Sequence, residues 1–441
     1  MSFTSPIQKL AQEFAYADIA TQATNLQNEQ NELNAESSGL DSLSTALTNF
    51  QTAIDALNSD TDGPLTFSAT SNNDANTVSA NSEAQAGTYS FYVSALAQAQ
   101  QTTFSMSDDQ YSASGTFTLS MDDGTTMDID LAAADEDGDS FIDANELVDA
   151  INDSDDNPGV SAALVKTDGT TTIMLTSDTT GKQSGFSVSV SGNDDLAAAE
   201  SSSEQMLTNP QDAEIHLGNE DGPAITSSSN TFDDVIPGVT MTFSEVSDPD
   251  DPNDVTTFTV AEDSSGSQAK VQTFVDAYNT LIDTIDSLTS YGDDDTAAGV
   301  FAGDAGMNSL ANQMDDIAHA SYGGVSIVDY GITLDDDGHL QIDSTQFSEE
   351  MEENPDGLTS IFVGEDSMVA QMDDLMESYL DSSNGIIAMR QENIDDQQSK
   401  IQDESDQLTE TYNTNYERYV EEYTNTLVET YTMKVSMAAF M

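Results

Sequence analysis

The chain of 441 residues has no cysteine and no tryptophan, and its lysines and arginines together number 8. Without cysteine there is no disulfide, no thiolate metal site and no thiol nucleophile. The few cations face 82 Asp and Glu, a formal net charge of -74. Such a surface repels phosphate backbones and anionic lipid, which argues against nucleic acid and membrane surfaces as partners and invites cations instead. Long apolar runs are also missing. The apolar residues from Ile7 to Ile19 are interrupted by Gln8, Lys9, Gln12 and Glu13, so neither membrane insertion nor a cleavable signal is expected, and export would take another route. The histidines, His216, His319 and His339, lie far from one another and from metal-ligand spacing, and are read as surface or turn residues. No nucleophile motif, phosphate loop or H-E-x-x-H is present. With nearly every loop carrying Asp, a solvated acidic face outweighs the paired acids of a hydrolase, and no enzyme is expected.

What is present begins with heptads. Leu26, Leu33, Leu40, Leu47 and Ile54 fall seven residues apart, with Leu43, Phe50 and Leu57 interleaved. A stripe this narrow is a coiled-coil seam rather than a globular core face, and it needs partner helices. Val271, Phe274, Tyr278, Leu281, Ile285 and Leu288 repeat the alternation, and Ile387, Ile394, Ile401 and Leu408 keep the period of seven. The two ends of the chain should therefore pack together and leave the middle as an insertion. The length calls for roughly two to four domains. We expect a terminal coiled-coil leg from 1–38 and 405–441 and a helical bundle from 39–64 and 267–404. A β-rich head from 65–105 and 207–266 and an outer β-rich head from 106–206 complete the division. The fold class is α+β multidomain, with a terminal coiled coil and helical bundle made by both chain ends and β-rich heads inserted between them.

In chain order, Ile7, Leu10, Phe14 and Ala17 start a helix, Ser37-Ser38-Gly39 marks a break, and Asp60 to Gly63 with Pro64 ends the helical stretch. From Leu65 to about Val260 the texture is Ser, Thr and Asn with period-two alternation, which reads as strands and turns. Phe117 to Ile129 and Ala162 to Leu175 read as hairpins turning at Asp123-Gly124 and Asp168-Gly169. Phe186 to Val190 and Val239 to Phe243 are single strands. One short helix, Asn145 to Ile151, interrupts this region. Helices return from Ser267 to Ser290, a hairpin turns at Asp337-Gly338, and Met368 to Leu380 and Gly385 onward are helical.

Several stretches, taken in order, resemble the flagellar filament-capping proteins, also called hook-associated protein 2. They are Ala84-Gln85-Ala86-Gly87-Thr88-Tyr89-Ser90; Asp212-Ala213-Glu214-Ile215; Ser229-Asn230 with Ile236-Pro237-Gly238-Val239-Thr240; Phe274-Val275-Asp276-Ala277-Tyr278-Asn279; Gly303-Asp304; Gly331-Ile332-Thr333-Leu334 with Gly338-His339-Leu340-Gln341-Ile342-Asp343; and Ile361-Phe362 before Gly385-Ile386. The ends depart from the family's pattern: Ser38-Gly39-Leu40-Asp41 sits inside the helical stretch, and the chain closes on Ser436 to Met441. The resemblance implies an extracellular cap at the distal end of the bacterial flagellar filament. There a homo-oligomeric ring promotes flagellin folding and insertion and prevents monomer leakage. It further implies contacts with flagellin, a flagellar junction protein and a flagellar export chaperone, and export through the flagellar channel without a cleaved signal peptide. The readings set against it are a secreted acidic adhesin or surface-layer protein, and another junction protein of the flagellar axis.

The residues themselves add one candidate site. Asp135, Asp137, Asp139, Phe141, Asp143 and Glu146 occupy positions 1, 3, 5, 7, 9 and 12 of a calcium-loop pattern with apolar Ile142 at position 8, and Phe141 would offer its carbonyl. Ser140 stands where glycine makes the sharp turn. The entering segment, Met127 to Leu131, alternates like a strand, which leaves half of a helix-loop-helix. No cofactor is required, and calcium is the one candidate, set against the plainer reading of an acidic loop capping a helix; the resemblance supplies no metal site. Tyr412, Tyr416, Tyr419, Tyr423 and Tyr431 lie at helical spacing and are read as packing in the coil, with a carbohydrate platform as the lesser reading.

Overall fold

The computed structural model describes residues 6–59, 62–106, 111–167, 170–292 and 297–440. The chain divides into two compact units, one of Met1–Leu65 with Ser264–Met441 and one of Thr66–Asp263. Helix α1 (Pro6–Asp55) is continuous for 50 residues, about 75 Å at 1.5 Å per residue. The break expected at Ser37-Ser38-Gly39 does not occur. Ser38 and Ser42 turn their hydroxyls back onto the carbonyls of Asn34 and Ser38, at 2.8 and 2.9 Å, which keeps them inside the helical ladder. Gly39 serves a close approach instead: a Cβ there would stand 2.7 Å from Val300 Cγ2 and 2.8 Å from Phe301 Cε2. The helix ends at Asp55, and Leu57, just past it, remains 2% exposed. Asp60, part of the expected stop, lies outside the described residues.

The second unit begins with β1 (Phe67–Ser71), β2 (Thr77–Ala80), β3 (Gly87–Ala95) and β4 (Gln101–Met106). It continues through β5 (Tyr111–Ser112), β6 (Thr116–Met121), β7 (Thr126–Asp130), α2 (Leu131–Ala134), β8 (Phe141–Ile142) and α3 (Ala144–Asn152). Next come β9 (Val160–Thr167), β10 (Thr170–Ser177), β11 (Phe186–Ser191), α4 (Asp194–Ser203) and β12 (Gln205–Thr208). The unit closes with β13 (Ala213–Leu217), β14 (Ala224–Ser227), β15 (Thr231–Ile236), β16 (Val239–Thr242) and β17 (Thr256–Glu262).

Alternation along these strands builds two cores. Phe91, Ile215, Phe243, Phe258 and Val260 belong to one, supplied mainly by the sheet β1-β17-β3-β13-β14 and the sheet β15-β16-β2. Phe104, Phe117, Ile142, Leu147, Ile173 and Leu196 belong to the other, drawn from the sheets β12-β4-β10-β9 and β11-β6-β7 and the pair β5-β8 with α3 and α4. The hairpin registers follow the alternation, Phe117 opposite Ile129 and Ala162 opposite Leu175; the turn expected at Asp168-Gly169 lies outside the described residues. More than one helix interrupts the strands. Besides α3 there is α4, whose apolar face is little more than Leu196 and whose N-terminus is closed by Asn193 accepting from Leu196 N at 3.1 Å. A stripe of alanines and serines carries too weak a period to announce a helix.

The chain then returns to the first unit through α5 (Ser264–Thr289), α6 (Ala305–His319), β18 (Ile332–Leu334) and β19 (Leu340–Ile342), followed by α7 (Ser344–Glu353), α8 (Pro355–Phe362), α9 (Met368–Leu380) and α10 (Ile386–Phe440). The hairpin β18–β19 turns at Asp337-Gly338 as expected, Gly338 taking φ +83°. The architecture is the expected α+β multidomain one, with helices from both chain ends and a β-rich insertion. Among the described residues no helix is long and apolar enough to cross a membrane.

Candidate functional site

The longest feature made jointly by the two chain ends is the seam between α1 and α10. Phe14 meets the rings of Tyr419 and Tyr423 at 5.8 Å each. Asp18 accepts from the Tyr419 hydroxyl at 3.0 Å and lies 3.6 Å from the Arg418 guanidinium. Farther along, Gln398 donates to Asn34 at 3.2 Å and Gln391 to Ser37 at 3.2 Å. One set of numbers rises as the other falls, so the helices run antiparallel. Leu26, Leu33, Ile394 and Leu408 are buried at 4–7% exposure, while Ile387 and Ile401 are half-buried.

Nearer the end of α1 the seam becomes a bundle. Leu40, Leu43, Leu47, Phe50 and Ile54 are all buried, and α1 packs there on α5 and α9. Phe50 stands 5.9 Å from Phe274 and 6.1 Å from Tyr278 between ring centroids, and Gln51 donates to Asp373 at 2.7 Å. One ionic clamp completes it. Asp304 caps α6 by accepting from Gly306 N and Met307 N at 2.9 and 3.1 Å, and receives both guanidinium nitrogens of Arg390 at 2.8 and 2.9 Å. The Arg390 hydrogen bonds hold the Asp304 carboxyl below the usual carboxylate range, against the opposing effect of burial.

Beyond the described start of α1, the last turns of α10 expose Tyr431, Met433, Val435 and Met437 at 54–70%. The tyrosine row therefore divides: Tyr412, Tyr416, Tyr419 and Tyr423 are half-buried, but Tyr431 does not pack in the coil.

In the other unit the acidic loop is anchored at both ends. Upstream, Asp130 caps the one-turn helix α2, accepting from Ala132 N at 3.0 Å. A helical turn therefore does enter the loop, after β7, where the alternation of Met127 to Leu131 had indicated strand alone. Downstream, Asp143 and Glu146 form a reciprocal capping box on α3, the arrangement that satisfies two orphan N–H groups of a helix start. Between them Asp135 accepts from Gly138 N, Asp139 N and Ser140 N at 2.8, 3.2 and 2.9 Å, and Glu146 from Glu136 N at 3.1 Å. One carboxylate oxygen each of Asp135, Asp137 and Asp139 lie within 4.8 Å of one another. Ile142 is fully buried in the core while Phe141 is 38% exposed. The donors are oxygens only, a set that suits a hard cation such as calcium rather than zinc.

Sequence reasoning missed the Asp304–Arg390 clamp, because 86 residues separate the partners and no spacing rule links them. His216 also departs from its expected place. It sits on β13 with a side chain 15% exposed, 3.0 Å from Glu214 Oε1 and edge-on to Tyr92.

Comparison with known proteins points one way. The family model "Flagellar hook-associated protein 2 C-terminus" matches residues 210–433, and "Flagellar hook-associated protein 2 N-terminus" matches residues 5–100. The acidic loop falls between the two matched stretches. The lateral flagellar hook-associated protein 2 of Vibrio parahaemolyticus is 33% identical over 370 residues, covering 82% of this chain and 82% of that protein. The flagellar hook-associated protein 2 of Escherichia coli O157:H7 is 30% identical over 431 residues, 91% of this chain and 88% of that protein. Among solved structures, the D1-D2-D3 domains of the flagellar cap protein FliD from Escherichia coli match with a TM-score of 0.68 and 27% identity, over 81% of this chain and 99% of that one.

Proposed function

The chain belongs to the flagellar hook-associated protein 2 family, and from that premise we propose that it caps the distal end of a bacterial flagellar filament, where it promotes flagellin folding and insertion. The observation that carries the reading is the antiparallel α1–α10 seam, which ties both chain ends into one helical unit and leaves residues 66–263 as an insertion. The role is structural rather than catalytic. An adhesin or surface-layer protein would have no use for heptads at both ends.

In this reading residues 1–38 and 405–441 form a leg, 39–64 with 267–404 the bundle, and the two β-rich parts the head. Identical subunits assemble in a ring outside the cell, after export through the flagellar channel with the help of an export chaperone, and contact flagellin and a junction protein. Deletion of the gene tests it. The deletion strain should shed flagellin monomer into the medium and carry short or no filaments, measured by immunoblot of the supernatant and electron microscopy of cells. Normal filaments would reject the cap.

The loop from Asp135 to Glu146 supports a second element of the proposal, a calcium ion in the head. The convergence of Asp135, Asp137 and Asp139 favours it, with Asp143, Glu146 and the Phe141 carbonyl as the further oxygen donors.

A further inference from the structure

The four-stranded sheet β12-β4-β10-β9 ends on β9, and two side-chain amides lie along that strand's outer edge. In an antiparallel pair, alternate residues turn both backbone N–H and C=O away from the neighbour. On β9 these residues are Val160, Ala162, Leu164 and Lys166. Ala162 N donates to Asn152 Oδ1 at 2.8 Å, and Asn152 Nδ2 donates to the Ala162 carbonyl at 2.9 Å. Val160 N donates to Asn157 Oδ1 at 2.9 Å, and Asn157 Nδ2 to the Val160 carbonyl at 2.9 Å. Each planar amide thus meets both polar groups of one residue, as a residue of an adjoining strand would. The same clip recurs inside the fold, where it joins elements: Gln100 on Phe186, Asn230 on Ala97 and Asn279 on Leu340. Among the described residues no strand of the sheet lies beyond β9.

Edge strands invite another chain to pair, and lysine is the usual guard. Between residues 66 and 263 the only lysines or arginines are Lys166 and Lys182, and Lys166 is on β9, past the two amides. The other exposed side chains of the strand, Ser161, Ala163 and Val165, are uncharged. In a chain of net charge -74, a strand that carries no carboxylate is where like-charged copies approach each other at least cost.

We infer that Asn152, Asn157 and Lys166 guard β9 against pairing with the β9 of a second copy of this chain, and that opening the guard turns β9 into a homotypic docking strand. Asn152 is exposed and among the described residues its amide serves Ala162, whereas Asn157 also closes the end of α3 by donating to Ile151 O at 2.8 Å. Asn152 is therefore the residue to change.

Two measurements on the full chain test this. In the wild-type protein, hydrogen exchange at the Ala162 amide should be as slow as at Ile173 on β10; exchange at the rate of an open amide would refute the clip. In sedimentation, Asn152→Ala should shift the protein to about twice the mass of the wild-type species at equal concentration, with added exchange protection over residues 162–166. The double variant Asn152→Ala with Ala162→Pro removes the outward N–H, a change an edge strand tolerates, and should restore the wild-type mass. A folded Asn152→Ala variant of unchanged mass overturns the inference. So does association that persists in the double variant, since it would then come from exposed core rather than from strand pairing.

Discussion

Among the described residues Ser140 is the one non-glycine held at positive φ, +71°, a region in which a Cβ costs about 1–2 kcal/mol. The turn persists because Asp135 collects the N–H groups of Gly138, Asp139 and Ser140 itself. The same carboxylate stands at the first position of the proposed calcium loop, so one residue shapes the turn and would bind the ion. Glu146 has two parts as well, since it belongs to the capping box on α3. Substituting both, Asp135→Ala with Glu146→Ala, should abolish one calorimetric calcium-binding event. Calcium at one hundred times its Kd should stabilise the wild-type head by about 2.7 kcal/mol and leave the variant unmoved. Loss of the capping box lowers stability by about 1 kcal/mol with or without the ion, so the decisive quantity is the calcium-dependent difference in melting temperature. Equal titrations for the two proteins would return the loop to an ordinary acidic turn.

In the proposed ring, the element on which assembly would rest is α1. Leu43, Phe50 and Leu57 are each at most 2% exposed, and a carboxylate in any of these places would be buried without a partner, which is costly. Leu43→Asp, Phe50→Asp and Leu57→Asp together should open the packing of α1 on α5 and α9 and block ring assembly, while circular dichroism shows the strands of the insertion intact. Normal rings and motility in the triple variant would show that assembly does not depend on this part of α1. This element was legible in the sequence because a seam must repeat: Leu26, Leu33, Leu40 and Leu47 keep a period that survives any choice of partner. Period-two alternation likewise placed the hairpins of Phe117 and Ala162. What repetition does not encode was hidden. Asp304 and Arg390 are single residues 86 apart, the amide clips use single asparagines and a glutamine that no spacing marks, and α4 has too few apolar residues to show a face. Ser37-Ser38-Gly39 has the composition of a helix break, yet in place it is where the loop around Val300 and Phe301 seats on α1. For the candidate calcium loop, spacing located the carboxylates, but the helical turn α2 that enters it was masked by the strand alternation it follows.

For the whole molecule the dominant fact is charge. Carboxylates crowded on a folded surface store self-repulsion that an unfolded chain relieves, and a ring of identical subunits multiplies it. The helical unit offsets part of this locally, through Arg390 with Asp304, Lys270 with Asp62 at 2.6 Å and Arg418 near Asp18. Between residues 66 and 263 the corresponding cations are only Lys166 and Lys182. Mobile ions must supply the screening there: the Debye length falls from ~10 Å at 0.1 M salt to ~3 Å at 1 M. The fold and the oligomer should therefore become more stable as sodium chloride rises to molar concentration. Each 1 kcal/mol gained should move the melting temperature by about 2–4 °C in a unit of this size. Hydrogen exchange resolved along the chain should show the larger gain in Thr66–Asp263 and the smaller in the helical unit, where fixed ion pairs already do part of the screening. Sedimentation across the same range should show the oligomer growing at the expense of free subunits. A melting temperature that stays flat or falls with salt would mean that this protein tolerates its charge by some means other than screening.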